Sequence, residues 1–83
     1  MQEAIDQRVM RAIAEVTHTP VEQVTPDATF EELGLTSLDA LAVVMELEEE
    51  FGIEIANEDA LALRTVRQAV ECVRTLASGA GQS

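Results

Sequence analysis

Leu33-Gly34-Leu35-Thr36-Ser37-Leu38-Asp39 is a turn that opens directly onto an acidic, apolar helix. Gly34 supplies a left-handed stop to what precedes it. Thr36, with Asp39 three residues on, has the spacing of a capping box, in which each side chain takes a backbone N–H of the other. That leaves Ser37 one position inside the helix with no structural duty. Its hydroxyl lies where unpaired backbone N–H groups and the positive helix end favour an anion. A phosphate placed there gains roughly 0.3 to 1 kcal/mol from the helix end. Ser and Thr also occur at such positions simply as caps, which is the plain alternative.

The helix that follows spans residues 37–51 and closes at Gly52. Ala40, Val43, Val44, Leu47 and Phe51 recur at three- and four-residue steps and form one apolar stripe. Leu38, Leu41, Ala42 and Met45 form a second, turned away from the first. A domain of 83 residues covers one of them, so the second is expected to be a partner surface. The alternative is a thick bundle that buries both.

Working outward, Ile5, Val9, Ala12, Ile13 and Val16 give a first helix over residues 3–17, with His18 at its end, where a cation suits the negative pole. A long connection covers residues 18–36. Within it, Thr19 reads as a cap before Pro20 at the first position of a short helical turn through Val24. Thr29-Phe30-Glu31-Glu32 again has capping-box spacing. Val21, Val24, Phe30, Leu33 and Leu35 are expected to pin the loop to the body. After Ile53 and Ile55, Asn57 reads as the cap of a short helix over residues 58–63. Thr65 with Gln68 opens a last helix to Ala77, whose stripe is Val66, Ala69, Val70, Val73 and Leu76. The fold class is all-α: three main helices plus one short helix, with a long first loop. Residues 1–77 form the domain, and residues 78–83 a flexible tail.

The net charge of −11 is unevenly placed. Eleven acidic residues and no basic one lie between Asp27 and Asp59, while the rest of the chain carries five acids and five arginines. The same window holds enough apolar residues to fold. Nucleic acid, itself an anion, is excluded as a partner, whereas proteins with basic surfaces are steered in. Glu46 with Glu50, and Glu50 with Glu54, are like charges at four-residue spacing.

Cys72 is the sole cysteine, so no internal disulfide forms, and the residue reads as a small apolar filler. His18, the sole histidine, makes neither a metal set nor a catalytic partner for Ser37. A hydrolase is disfavoured because no base neighbours Ser37 in sequence, and a calcium loop because its ligand spacing is missing. No stretch is long enough to cross a bilayer, and the opening residues lack a basic and an apolar region. The expectation is a cytoplasmic monomer with no catalytic residues and no metal.

Leu33 to Asp39, followed by Val44-Met45-Glu46-Leu47-Glu48-Glu49-Glu50-Phe51-Gly52-Ile53-Glu54-Ile55, resembles the acyl carrier protein family. The likeness extends to Phe30-Glu31-Glu32-Leu33 and to Thr65-Val66. The resemblance implies a four-helix bundle with a 4′-phosphopantetheine arm, derived from coenzyme A, on Ser37. It implies a carrier and not an enzyme, with acyl intermediates held as thioesters for a specialised fatty-acid or polyketide-type pathway. Partners are then a phosphopantetheinyl transferase and acyl-transferring or ketosynthase-type enzymes with basic docking surfaces. Leu38, Leu41, Ala42 and Met45 would be apolar anchors, and Asp39, Glu48 and Glu49 would meet partner Arg and Lys.

Two positions depart from the family pattern. Thr36 stands where most members have Asp, a residue associated with recognition by the transferase. Ala42 stands where common fatty-acid-synthesis carriers have Glu. Both point to a specialised carrier. The alternatives are an aminoacyl or peptidyl carrier, whose members read as less acidic, and an unmodified acidic helical interaction module with the same fold.

Overall fold

The computed structural model describes residues 4–80, with side chains as far as Ala77. Four helices appear in chain order: α1 (Ile5–Thr17), α2 (Ser37–Phe51), α3 (Asn57–Ala62) and α4 (Val66–Ala80). The all-α bundle with one short helix agrees with the sequence pattern. Helix α1 packs against both α2 and α4, and α3 sits on the flank of α2.

The periodic stripes become the core. Val9 and Ile13 of α1, Val43 and Leu47 of α2, and Val66, Ala69 and Val73 of α4 are sealed from solvent. Val24, Phe30, Ile53 and Ile55 close this core from the loops. Among the described residues no polar or charged residue is buried, so the interior is held by apolar packing.

Chain ends of the helices follow local chemistry. Gly52 takes φ +66° and returns its N–H to the Glu48 carbonyl. His18 caps α1 in the left-handed region at φ +55°, with its N–H on the Ala14 and Glu15 carbonyls. Thr65 and Gln68 bond reciprocally at the start of α4, at 3.1 Å in each direction. Thr29 and Glu32 do the same at 2.9 Å in each direction, but the turns they open end at Gly34 (φ +79°) and never become an α-helix.

Several expectations need correction. The short segment after α1 is a single 3-10 turn, Val21–Gln23, with Pro20 as its cap and not its first residue. Thr19 cannot cap it, because its hydroxyl is paired with that of Thr17 at 2.9 Å. Val21 is half exposed, so Val24 and Phe30 carry the anchoring, with Leu33 and Leu35 packed partly buried against the core. Asn57 is the first residue of α3, and Ala56 holds the cap position without a side-chain bond. Of the like-charge pairs, Glu46 and Glu50 do lie four residues apart on α2, with Glu50 paired to Arg8 at 3.0 Å, whereas Glu54 lies beyond the end of the helix. The Arg8 guanidinium rests 4.5 Å over the Phe51 ring as well, so one side chain ties α1 to the end of α2. Helix α4 runs through Ala80, three residues past the end expected at Ala77; residues 1–3, with the expected start of the first helix, and residues 81–83 lie outside the described residues.

The long connection is stitched to the segment between α3 and α4. The Phe30 N–H donates to the Arg64 carbonyl at 2.8 Å, Val66 N–H to Ala28 at 3.0 Å and Arg67 N–H to Pro26 at 3.0 Å. An isolated antiparallel bridge joins Thr29 and Thr65. This pairing carries the loop across the bundle end and delivers Ser37 beside the α3–α4 junction.

Candidate functional site

The turn preceding α2 is locked from within. Leu35 N–H reaches the Phe30 carbonyl at 2.9 Å, and Gly34 N–H the Glu31 carbonyl at 3.0 Å. Thr36 Oγ1 then accepts the Asp39 N–H at 3.2 Å, while Asp39 Oδ2 accepts the Thr36 N–H at 3.0 Å. The capping box is complete, and it uses neither atom of Ser37. Ser37 is exposed, and its hydroxyl makes no hydrogen bond to any described residue. An exposed hydroxyl is thus left over that the fold does not use.

Beside Ser37 opens a cleft of about 480 Å³. Leu41 of α2, Leu61 of α3 and Leu63 form its apolar walls, and Ser37, Glu31 and Arg64 stand among its other lining residues. A polar, thread-like group attached at Ser37 finds both a wall and open solvent there. The geometry fits an ester-linked arm: an exposed, unengaged hydroxyl with a groove alongside.

The second stripe of α2 is exposed along its length. Leu38 is 77 % and Met45 66 % accessible, Leu41 42 %, and Ala42 is exposed between them. The thick-bundle alternative is therefore ruled out for α2. Glu49 lies on the same face and is exposed. The other two acids expected on this face have internal bonds. Asp39 is half-buried in the cap, and Glu48 Oε2 accepts the Ile55 N–H at 2.8 Å. Both remain charged surface groups, held in fixed orientation by those bonds.

Sequence reasoning missed Leu61 and Arg64. Leu61 is 67 % accessible on α3, off the line of Ala60 and Leu63 that faces the core, and a six-residue helix is too short for its stripe to stand out. Arg64 gave no local signal, because its place beside Ser37 comes from the Phe30–Arg64 backbone bond. Among the described residues no three His, Cys, Asp or Glu side chains converge on a metal position. No helix there is long and apolar enough to cross a membrane.

The described helices thus form a small bundle with an unengaged serine hydroxyl at the head of an acidic helix, an arrangement that suits a domain modified from outside. The comparisons agree. The family model described as "Phosphopantetheine attachment site" matches residues 7–73, and the chain belongs to that family. It is a carrier domain and not an enzyme, and its cofactor is covalent 4′-phosphopantetheine.

Solved structures share the fold. An acyl carrier protein from Thermotoga maritima superposes with a TM-score of 0.80 at 24% identity, covering 95% of this chain and 99% of that one. The acetyl actinorhodin acyl carrier protein from Streptomyces coelicolor gives 0.75 at 24% identity, over 95% of this chain and 94% of that one. The oxytetracycline acyl carrier protein gives 0.76 at 20% identity, over 96% and 88%.

Proposed function

We propose that the chain is an acyl carrier whose arm is esterified to Ser37, and that it serves a specialised fatty-acid or polyketide-type pathway. The observation that carries this reading is the unengaged Ser37 hydroxyl, left free by the Thr36–Asp39 cap and set on the rim of a cleft. In loading, the Ser37 oxygen attacks a phosphorus of coenzyme A. One phosphorus–oxygen bond forms at Ser37, the pyrophosphate link breaks, adenosine 3′,5′-bisphosphate leaves, and the hydroxyl proton passes to a base on the transferase. The arm supplies a terminal thiol on which cargo is held as a thioester. The chain's own residues present it, and tethering raises the local concentration of cargo at each enzyme visited.

The docking face is proposed as Leu38, Leu41, Ala42 and Met45, rimmed by Asp39, Glu48 and Glu49. An apolar centre with acidic edges suits a transferase and acyl-transferring or ketosynthase-type enzymes that present apolar hollows ringed by Arg and Lys. Charge speeds such encounters more than it tightens them, as a shuttle requires. The acidity of this face favours acyl over aminoacyl or peptidyl cargo. A cytoplasmic setting keeps the arm's thiol reduced.

The test is incubation with coenzyme A and a broad-specificity phosphopantetheinyl transferase, read by intact-mass spectrometry. One arm is expected on the native sequence and none on Ser37→Ala. An unchanged mass, or a gain that survives Ser37→Ala, overturns the assignment.

A further inference from the structure

Ser37 shares its cleft with a single cation. Glu31 and Arg64 are the charged residues lining it, and the sequence from Asp27 to Asp59 that surrounds it in the chain holds eleven acids and no base. An anion created on Ser37 therefore enters a strongly negative neighbourhood in which Arg64 is the one group of opposite sign on the same cleft.

Arg64 is also held in place. Its carbonyl accepts the Phe30 N–H at 2.8 Å, and its own N–H donates to Gln68 Oε1 at 2.6 Å. Its Nη1 donates to the Leu61 carbonyl at 2.6 Å and the Leu63 carbonyl at 3.1 Å. The side chain is thus folded back on the carbonyls that end α3, and its position does not depend on a carboxylate.

That distinguishes Arg64 from its neighbours. Arg8 is paired with Glu50 at 3.0 Å and Arg67 with Asp27 at 2.6 Å; the hydrogen bond and charge of Asp27 hold Arg67 further above its ordinary value. Arg64 forms no ion pair with a described carboxylate, and Glu31, on the same cleft, leaves it unpaired. A guanidinium held through one nitrogen by neutral carbonyls keeps its full charge and further N–H donors, which match phosphate oxygens.

We propose that Arg64 is the internal counter-cation of the phosphodiester formed on Ser37, a positioning residue that draws the root of the arm toward the cleft between α2 and α3. This rests on Ser37 being the attachment site. The pairing offsets the repulsion that the acidic window imposes on a new anion. It biases the arm toward one side of the α2 start, and it is weak enough for a partner's own basic residues to take the phosphate over.

The test uses the apo and arm-bearing forms of the native sequence, Arg64→Gln and Arg64→Lys. It reads the phosphorus NMR resonance of the phosphodiester and the thermal melts of both forms. In Arg64→Gln the phosphorus resonance is expected to move toward that of a phosphopantetheinyl-serine peptide and to sharpen. Arg64→Lys should restore part of the native shift. The melting temperature of the arm-bearing form relative to its apo form should fall by about 2–4 °C in Arg64→Gln at low salt, and the difference should close at ~0.5 M salt.

A phosphorus resonance indifferent to the substitution, with apo and arm-bearing forms losing stability equally, would make Arg64 a structural cap only and overturn the pairing. If Arg64→Gln does not fold, the native arm-bearing protein decides alone. Its phosphorus resonance must move with salt more than that of the peptide, and equal movement overturns the pairing. A chain that takes no arm on Ser37 overturns the carrier reading and the pairing together, whereas one that loads but shows no Arg64 dependence overturns the pairing only.

Discussion

Thr36 and Asp39 bond each other twice across the first turn of α2, at 3.2 Å and 3.0 Å. The exchange satisfies two backbone N–H groups at the helix start and leaves the serine between them idle. The two hydroxyls therefore differ in what they do for the fold. Replacing Thr36 by Ala should cost about 1 kcal/mol, which lowers the melting temperature by roughly 4–8 °C in a domain of this size. Replacing Ser37 by Ala should stay within about 0.5 kcal/mol. Urea denaturation of both variants checks this, and a Ser37→Ala loss as large as that of Thr36→Ala would contradict the assignment of the cap.

The same geometry separates two roles that one residue type usually combines. Asp caps a helix about as well as Thr, so Thr36→Asp should leave stability within about 0.5 kcal/mol of the native value. What it adds is a carboxylate next to the serine. If that charge gives a general transferase one further charged contact, loading should accelerate on the order of tenfold, the equivalent of 1.4 kcal/mol. Initial rates of arm transfer, measured by mass, report the effect. Equal rates would mean that Thr36 does not set the choice of transferase.

Glu48 has both a structural and an electrostatic part, and the two can be parted. Its Oε2 accepts the Ile55 N–H at 2.8 Å and ties the loop after α2 back onto the helix. Glu48→Gln removes the charge but keeps a carbonyl oxygen at the same reach. Glu48→Ala leaves the half-buried amide without its acceptor, at a cost of about 1–3 kcal/mol. Melting curves should therefore drop for Ala and hold within a degree or two for Gln. Gln is then the variant with which to measure the charge's share in docking: its association rate with a basic partner enzyme should fall two- to five-fold at low salt, with the difference narrowing as salt rises. Loss of stability in Glu48→Gln equal to that in Glu48→Ala would show that the charge itself is needed at Ile55.

How far the sequence could be read depends on whether a feature is local. Helix α2 matched its pattern from Ser37 to Phe51, with the Thr36–Asp39 box at one end and Gly52 at the other, because every signal involved lies within one turn of the residue it controls. The exposed face from Leu38 to Met45 was legible for a related reason: two stripes on one helix exceed what one small core covers. Local signals misled where two uses of one side chain compete. Thr19 has the right neighbours for a cap but bonds Thr17, and Asn57 enters α3 instead of capping it. Non-local features left no trace in spacing. The Thr29–Thr65 bridge and the Phe30–Arg64 bond join residues more than thirty positions apart, and these place Arg64 and Leu61 beside Ser37. The Arg8–Glu50 pair is of the same kind, and it turns an apparent like-charge clash into a brace between helices.

Cys72 offers a check that depends on burial. Desolvation on α4, followed by the charge of Asp59, pushes its thiol up from the ordinary thiol range. Both effects disfavour the thiolate, so at neutral pH the residue stays protonated and unreactive. The sign for stability follows. A raised value in the folded chain means that the unfolded chain releases its proton first, so the contribution is fully present below the unfolded value. It is lost as pH climbs through the folded one. Alkylation with iodoacetamide should thus be slower than for an unfolded reference peptide at pH 7–8, and should gain rate at higher pH than the peptide does. In the arm-bearing protein a solvent-exposed thiol is added on Ser37, and at neutral pH that thiol should take the label at least about tenfold faster than Cys72. Peptide mapping after limited labelling separates the two sites, and comparable labelling of Cys72 would contradict its placement among the half-buried residues of α4.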